Sequence, residues 1–169
     1  YNSIMTKGEQ VISISNFITD HIISNYKKAQ SKIVTIPRGI DLEYYNPSKV
    51  SHQRIVNLSK LWRLPDGVPV IMLPGRLTRW KGHRVLLEAL SMLEEKNFRC
   101  LFVGDNQNNT SYKKELESFI RNKKLDRMIH ILGHCSDMPA AYMLSDVVVS
   151  PSTDPEAFGR ISIEAQAMG

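Results

Sequence analysis

Cysteine is nearly absent from these 169 residues: only Cys100 and Cys135 occur. Two cysteines in a chain this long make no disulfide framework, and without a Cys-x-x-Cys pair zinc coordination has no anchor. That usage fits a reducing, cytoplasmic setting. Long apolar runs are missing too; none approaches the roughly 20 residues that a membrane-spanning helix needs. There is no signal-peptide pattern, no internal repeat, no low-complexity tract and no Asp-x-Asp pair. Without that pair, no Mg²⁺ or Mn²⁺ site is expected. Tyr1-Asn2-Ser3 lacks an initiator methionine, and an apolar helix running to Gly169 closes the sequence, so both ends read as cuts into a longer chain.

Hydrophobic residues make up 42% and charged residues 23%, which excludes disorder and describes an ordinary globular protein. Lysine and arginine number 22 against 17 acids, for a net charge of +5. The excess favours anionic partners such as phosphates or an anionic membrane surface, and is too modest to demand nucleic acid.

Val11-Ile12-Ser13-Ile14-Ser15 alternates as a short strand does, and Ser15 is placed to cap a helix using Ile18, Ile22 and Tyr26. The β-branched run from Ile33 to Ile36 stops at Pro37, and Asn46-Pro47-Ser48 breaks the chain again. Residues 1–52 are thus expected to be the end of one βαβ domain with its connector, and 53–169 a second domain. In that second region, a helix with Ile55, Leu58, Leu61 and Trp62 on one face precedes a new rhythm. Strands are expected at Val68 to Leu73, Phe98 to Val103, Met128 to Leu132 and Asp146 to Ser150. Helices follow them, burying Leu86, Leu87, Leu90 and Leu93, then Tyr112, Leu116, Phe119 and Ile120, then Tyr142 behind an Asp137 cap. Asn106 to Thr110 reads as a polar loop. Strand, loop and helix repeated four times predict an α/β fold: a Rossmann-like parallel sheet with helices on both faces.

In such sheets ligands bind beyond the C-terminal ends of the strands. The first such loop reads Gly75-Arg76-Leu77-Thr78-Arg79-Trp80-Lys81-Gly82 and opens a helix. A tight turn at Gly75, cations at Arg76 and Lys81 and a helix N-terminus make a diphosphate cradle. The same loop also reads as solvated basic surface, and spacing leaves both open. The last loop carries Glu156-Ala157-Phe158-Gly159 ahead of Glu164. Glu156 in a first helical turn reads as a cap and Glu164 as a surface residue, or the two carboxylates bind sugar hydroxyls while Gly159 offers backbone N–H groups. His134 and Cys135 are adjacent, which is poor metal geometry, so a loop beside the ligand is the better reading.

Taken together, these motifs resemble the retaining glycosyltransferases of family 4, the group 1 glycosyltransferases, which have the two-Rossmann-domain GT-B fold. The resemblance rests on Ile36-Pro37-Arg38-Gly39-Ile40-Asp41, Gly75-Arg76-Leu77 with Lys81-Gly82, Tyr142 with Ser145-Asp146-Val147, Pro151-Ser152, and Glu156 and Glu164 in Glu-x7-Glu spacing. It implies one half of that fold, the donor-binding domain, with a fragment of the preceding domain. It implies that Arg76 and Lys81 bind the diphosphate and stabilise charge on the departing nucleotide. Glu156 would hydrogen-bond donor-sugar hydroxyls, with backbone N–H groups at Ala157, Phe158 and Gly159 on sugar and phosphate. Glu164 would accept from the ribose, and Gly133-His134-Cys135 would lie near the base. No cofactor or metal is implied, only a nucleotide-diphosphate-sugar co-substrate. The Glu-Ala-Phe-Gly-Arg and Glu-Ala-Gln-Ala-Met-Gly wording resembles bacterial members that build lipopolysaccharide or related envelope glycans. The partner would be a glycan or lipid-linked acceptor, reached from the cytoplasm or from the inner-membrane surface. The residues 1–169 alone are expected to bind nucleotide weakly and transfer nothing. Another GT-B enzyme such as a nucleotide-sugar epimerase, and a non-catalytic module holding nucleotide or a polyanion, stay open as alternatives.

Overall fold

A computed structural model of the chain describes residues 2–95, 97–105 and 110–169. Two compact units partition it: Tyr1–Ile40 with Pro155–Arg160, and Asp41–Asp154 with Ile161–Gly169.

In the first unit, β1 (Val11–Ser13) pairs in parallel with β2 (Ile33–Thr35), joined by helix α1 (Asn16–Asn25) and a 3-10 stretch, Lys27–Lys32. Ser15 caps α1 as its side chain accepts from the Ile18 N–H. Ser13 is buried, and its hydroxyl costs nothing because Thr19 and Thr35 complete a three-hydroxyl cluster, at 2.5 and 3.2 Å.

The second unit holds a four-stranded parallel sheet in the order β5-β4-β3-β6: β3 (Val70–Pro74), β4 (Arg99–Val103), β5 (Ile129–Leu132) and β6 (Val147–Val148). Helix α2 (His52–Leu61) precedes it, and α3 (His83–Ser91), α4 (Thr110–Asn122), α5 (Met138–Met143) and α6 (Arg160–Ala167) follow the strands in turn, α6 beginning in the first unit's segment. The parallel crossovers from β3 to β4 and from β4 to β5 move the same way along the sheet, and the right-handed rule for such connections puts α3 and α4 on one face, where they share a core. The crossover from β5 back to β6 reverses direction and puts α5 on the other. The pleat agrees. Leu73, Cys100, Phe102 and Ile129 join Leu86, Leu87, Leu90, Tyr112, Leu116 and Ile120 in one core, whereas Met72 and Leu101, paired in register, are fully buried on the opposite side.

Some local expectations are corrected. Leu61 is 73% exposed, because the covered side of α2 is carried by Leu58 and by Trp62 at its C-cap. Leu93 is 46% exposed, because α3 ends at Ser91 before it can carry Leu93 round to the core. The last strand is two residues rather than five; Asp146 pins it, accepting from the Val70 N–H at 2.7 Å. Of the polar loop, residues 106–109 lie outside the described residues and Thr110 opens α4.

Candidate functional site at the strand ends

Glycines stand immediately after three neighbouring strands: Gly75 after β3, Gly104 after β4 and Gly133 after β5. They extend the ladder past the sheet, with the Gly75 N–H donating to Val103 O at 2.8 Å and the Gly104 N–H to Gly133 O at 3.1 Å. A Cβ at Gly104 would lie 2.0 Å from Gly75 O, so the two backbones touch where no side chain fits. This closure, with the Leu77 N–H donating to Asp105 O at 3.0 Å, fixes the path of the loop that carries Arg76.

The other anchor of that loop is a second glycine contact. Gly82 has φ +72° and caps α3, and a Cβ there would lie 1.9 Å from Pro151 O. The Thr153 N–H donates to Trp80 O at 2.8 Å beside it. The loops after β3 and β6 are therefore stitched together where the strand order reverses, which is the position where open α/β sheets bind ligands.

Arg76 is exposed and Lys81 half-buried. The Lys81 stem lies over Gly75, 3.5 Å from where a Cβ would be, and its ammonium sits 4.3 Å from the Trp80 ring centroid. Arg79, between them, is committed elsewhere: it pairs with Glu115 at 2.7 Å and lies over Tyr112. Glu115 and Arg79 hold each other ionised, chiefly through that hydrogen bond.

Sequence reasoning passes over His83. It is fully buried at the first position of α3, edge-on to Phe102, with neither ring nitrogen hydrogen-bonded among the described residues. Burial lowers its pKa to about 4, only partly opposed by the Thr78 backbone and reinforced by Lys81. The imidazole is neutral at pH 7. Its apolar neighbours come from Phe102 and Tyr112, far apart in sequence, so no local pattern marks it.

Glu164 is buried rather than a surface residue, and accepts a hydrogen bond from the Tyr142 hydroxyl at 2.8 Å. Tyr142 projects from α5, a short helix whose N-cap, Asp137, is gripped by Nη2 and Nε of Arg54 at 2.6 and 2.9 Å. That grip holds the Asp137 carboxyl below its usual range. His134 is exposed and Cys135 half-buried in the loop after Gly133; burial raises the Cys135 thiol, and pushes that of Cys100 in the sheet up to about 12.

The segment Glu156, Ala157, Phe158 and Gly159 belongs to the first unit, where Ser15 Oγ donates to Ala157 O at 2.8 Å. Glu156 is half-buried and precedes α6 by four residues, so it is not a first-turn cap. Gly159, at φ +75°, makes the entry into that helix. No group of three or more His, Cys, Asp or Glu among the described residues is arranged to hold a metal ion.

A family model described as "Glycosyl transferases group 1" matches residues 57–169. The chain belongs to that family. Among solved structures, a glycosyltransferase from Rickettsia africae ESF-5 superimposes with a TM-score of 0.90 at 43% identity, over 99% of this chain and 44% of that one. Anabaena Alr3699/HepE, crystallised in complex with UDP and glucose, gives 0.84 at 27% identity, again over 99% and 44%. Spore coat protein SA of Bacillus subtilis is 31% identical over 95% of this chain. The group 1 chain spans 44% of that relative's length. Its α/β fold corresponds to one half of these GT-B glycosyltransferases. No helix among the described residues is long and apolar enough to cross a membrane.

Proposed function

We propose that this chain supplies the donor site of a retaining family 4 glycosyltransferase that moves a sugar from a nucleoside-diphosphate carrier to a glycan or lipid-linked acceptor. The observation that carries the reading is the doubly anchored loop Gly75–Gly82 at the reversal of strand order, with Arg76 just after β3 and Lys81 just before the N-cap of α3. Oriented N–H groups and two cations suit a diphosphate.

In the transfer, the bond between the anomeric carbon and the diphosphate oxygen breaks, and its electron pair leaves on that oxygen. The acceptor hydroxyl forms the new bond on the same face, and its proton leaves with the nucleoside diphosphate. Arg76 and Lys81 neutralise the charge growing on the leaving group, so the reaction proceeds without a metal. Glu156 orients the sugar hydroxyls, with the Ala157, Phe158 and Gly159 backbone beside it. Glu164 accepts from the ribose, and His134 and Cys135 flank the base. UDP is the first nucleotide to test, because a relative was crystallised with it. An acceptor in bacterial envelope glycan synthesis, of the lipopolysaccharide type, reached from the cytoplasmic side, accords with the Glu156–Arg160 and Glu164–Gly169 wording.

Ligand-observed NMR against UDP, GDP and ADP tests the proposal. One nucleotide binds, and Arg76→Ala weakens it at least about tenfold, the loss of a charge-assisted contact. Binding that survives Arg76→Ala unchanged refutes the assignment of this loop.

A further inference from the structure

Glu164 is the most buried carboxylate in the second unit, 6% exposed, and a carboxylate so placed needs donors. One comes from Tyr142, itself 4% exposed, at 2.8 Å. A hydrogen bond from a neutral hydroxyl leaves the negative charge in place and fixes the plane of the carboxylate.

The tyrosine is held in turn from two sides. Its ring meets the edge of Tyr45, with centroids 6.1 Å apart and planes at 63°. Tyr45 is 8% exposed and closes a turn in which Asp41 accepts from the N–H groups of Glu43 and Tyr44, while its carbonyl accepts from Tyr45. Tyr44 stacks edge-on against Tyr45, and its hydroxyl donates to Ser136 O at 3.2 Å. From below, the Arg54–Asp137 clamp fixes the N-terminus of α5. Tyr142 thus has a fixed ring and a fixed helix, and its hydroxyl donates to Glu164.

We infer that Tyr142 is a positioning residue for nucleotide recognition: its hydroxyl presets Glu164 to accept from the ribose hydroxyls. The inference rests on the proposed role of Glu164 as the ribose acceptor. A phenylalanine would fill the same core space, so packing alone does not require the oxygen.

The test measures Kd for UDP and for 2′,3′-dideoxy-UDP with the full chain, in the parent, Tyr142→Phe and Glu164→Gln. The parent prefers UDP. Tyr142→Phe weakens UDP by about fivefold and leaves dideoxy-UDP within about twofold, since only the ribose contact is affected. A purely structural role for the hydroxyl would weaken both ligands alike and overturns the inference. If Glu164→Gln abolishes the preference while Tyr142→Phe keeps it, the inference fails and the role of Glu164 stands. If the parent binds both ligands equally, or binds neither, the role of Glu164 fails, and the inference with it.

Discussion

Gly82 offers a sharp test of how the candidate loop is held. Replacing it with alanine imposes two separate costs. A left-handed φ of +72° costs an L-residue about 1 to 2 kcal/mol. The new Cβ also lands 1.9 Å from Pro151 O, a backbone atom that cannot rotate away. Ordinary contact requires the two backbones to part by roughly 1.5 Å, and forcing atoms into a packed interior costs about 1 to 3 kcal/mol. Gly67→Ala is the control, because Gly67 has φ +70° with nothing within 4 Å of its would-be Cβ. It bears the conformational cost alone. The difference between the variants, about 2 kcal/mol, isolates the contact with Pro151. Urea unfolding followed by tryptophan fluorescence reads it, since the only two tryptophans, Trp62 and Trp80, both lie in the second unit. Equal destabilisation by the two variants would refute the claim that these loops are joined by backbone contact.

Two further predictions concern pH. His83 is held neutral with its pKa lowered to about 4, whereas the unfolded chain takes up a proton below about 6.5. Stability therefore falls as pH drops from 6.5 towards 4 and levels off below, by on the order of 3 kcal/mol in all. His83→Phe, which keeps an aromatic edge against Phe102, should flatten that portion of a urea-midpoint profile; an unchanged slope contradicts the assignment. Asp137 has its pKa depressed first by Arg54, so its contribution is complete above the ordinary aspartate range and lost as pH falls below it. Arg54→Met should make the acid limb below pH about 4 shallower while costing under about 1 kcal/mol at pH 7, the pair being partly exposed. A steeper acid limb in Arg54→Met would count against it.

Much of the framework follows from local pattern. Periodicity places all four strands of the second unit and their helices, because each buries a face whose spacing the residues declare. Caps at Ser15 and Asp137 are equally plain, since a short acceptor before an apolar period has few other uses. Contacts between distant segments are what the sequence withholds. Glu164 looks like surface because nothing near it announces Tyr142, 22 residues earlier. A glycine at 104 or 82 suggests a turn, but not that another backbone presses against it. Pro155–Arg160 reads as the loop of one domain, yet clusters with residues near Ser15, a pairing across 142 positions.

The two thiols differ enough to be useful at the bench. Cys100, sealed in the sheet with its pKa pushed up to about 12, offers an alkylating reagent almost no thiolate. Cys135 is half-buried and, though its thiol is also raised, can be reached from solvent. A maleimide fluorophore or spin label at mildly alkaline pH should therefore couple at one atom of the unmodified chain. That atom lies two residues past Gly133 at the end of β5, so the native sequence carries its own attachment point for a reporter at that end of the sheet.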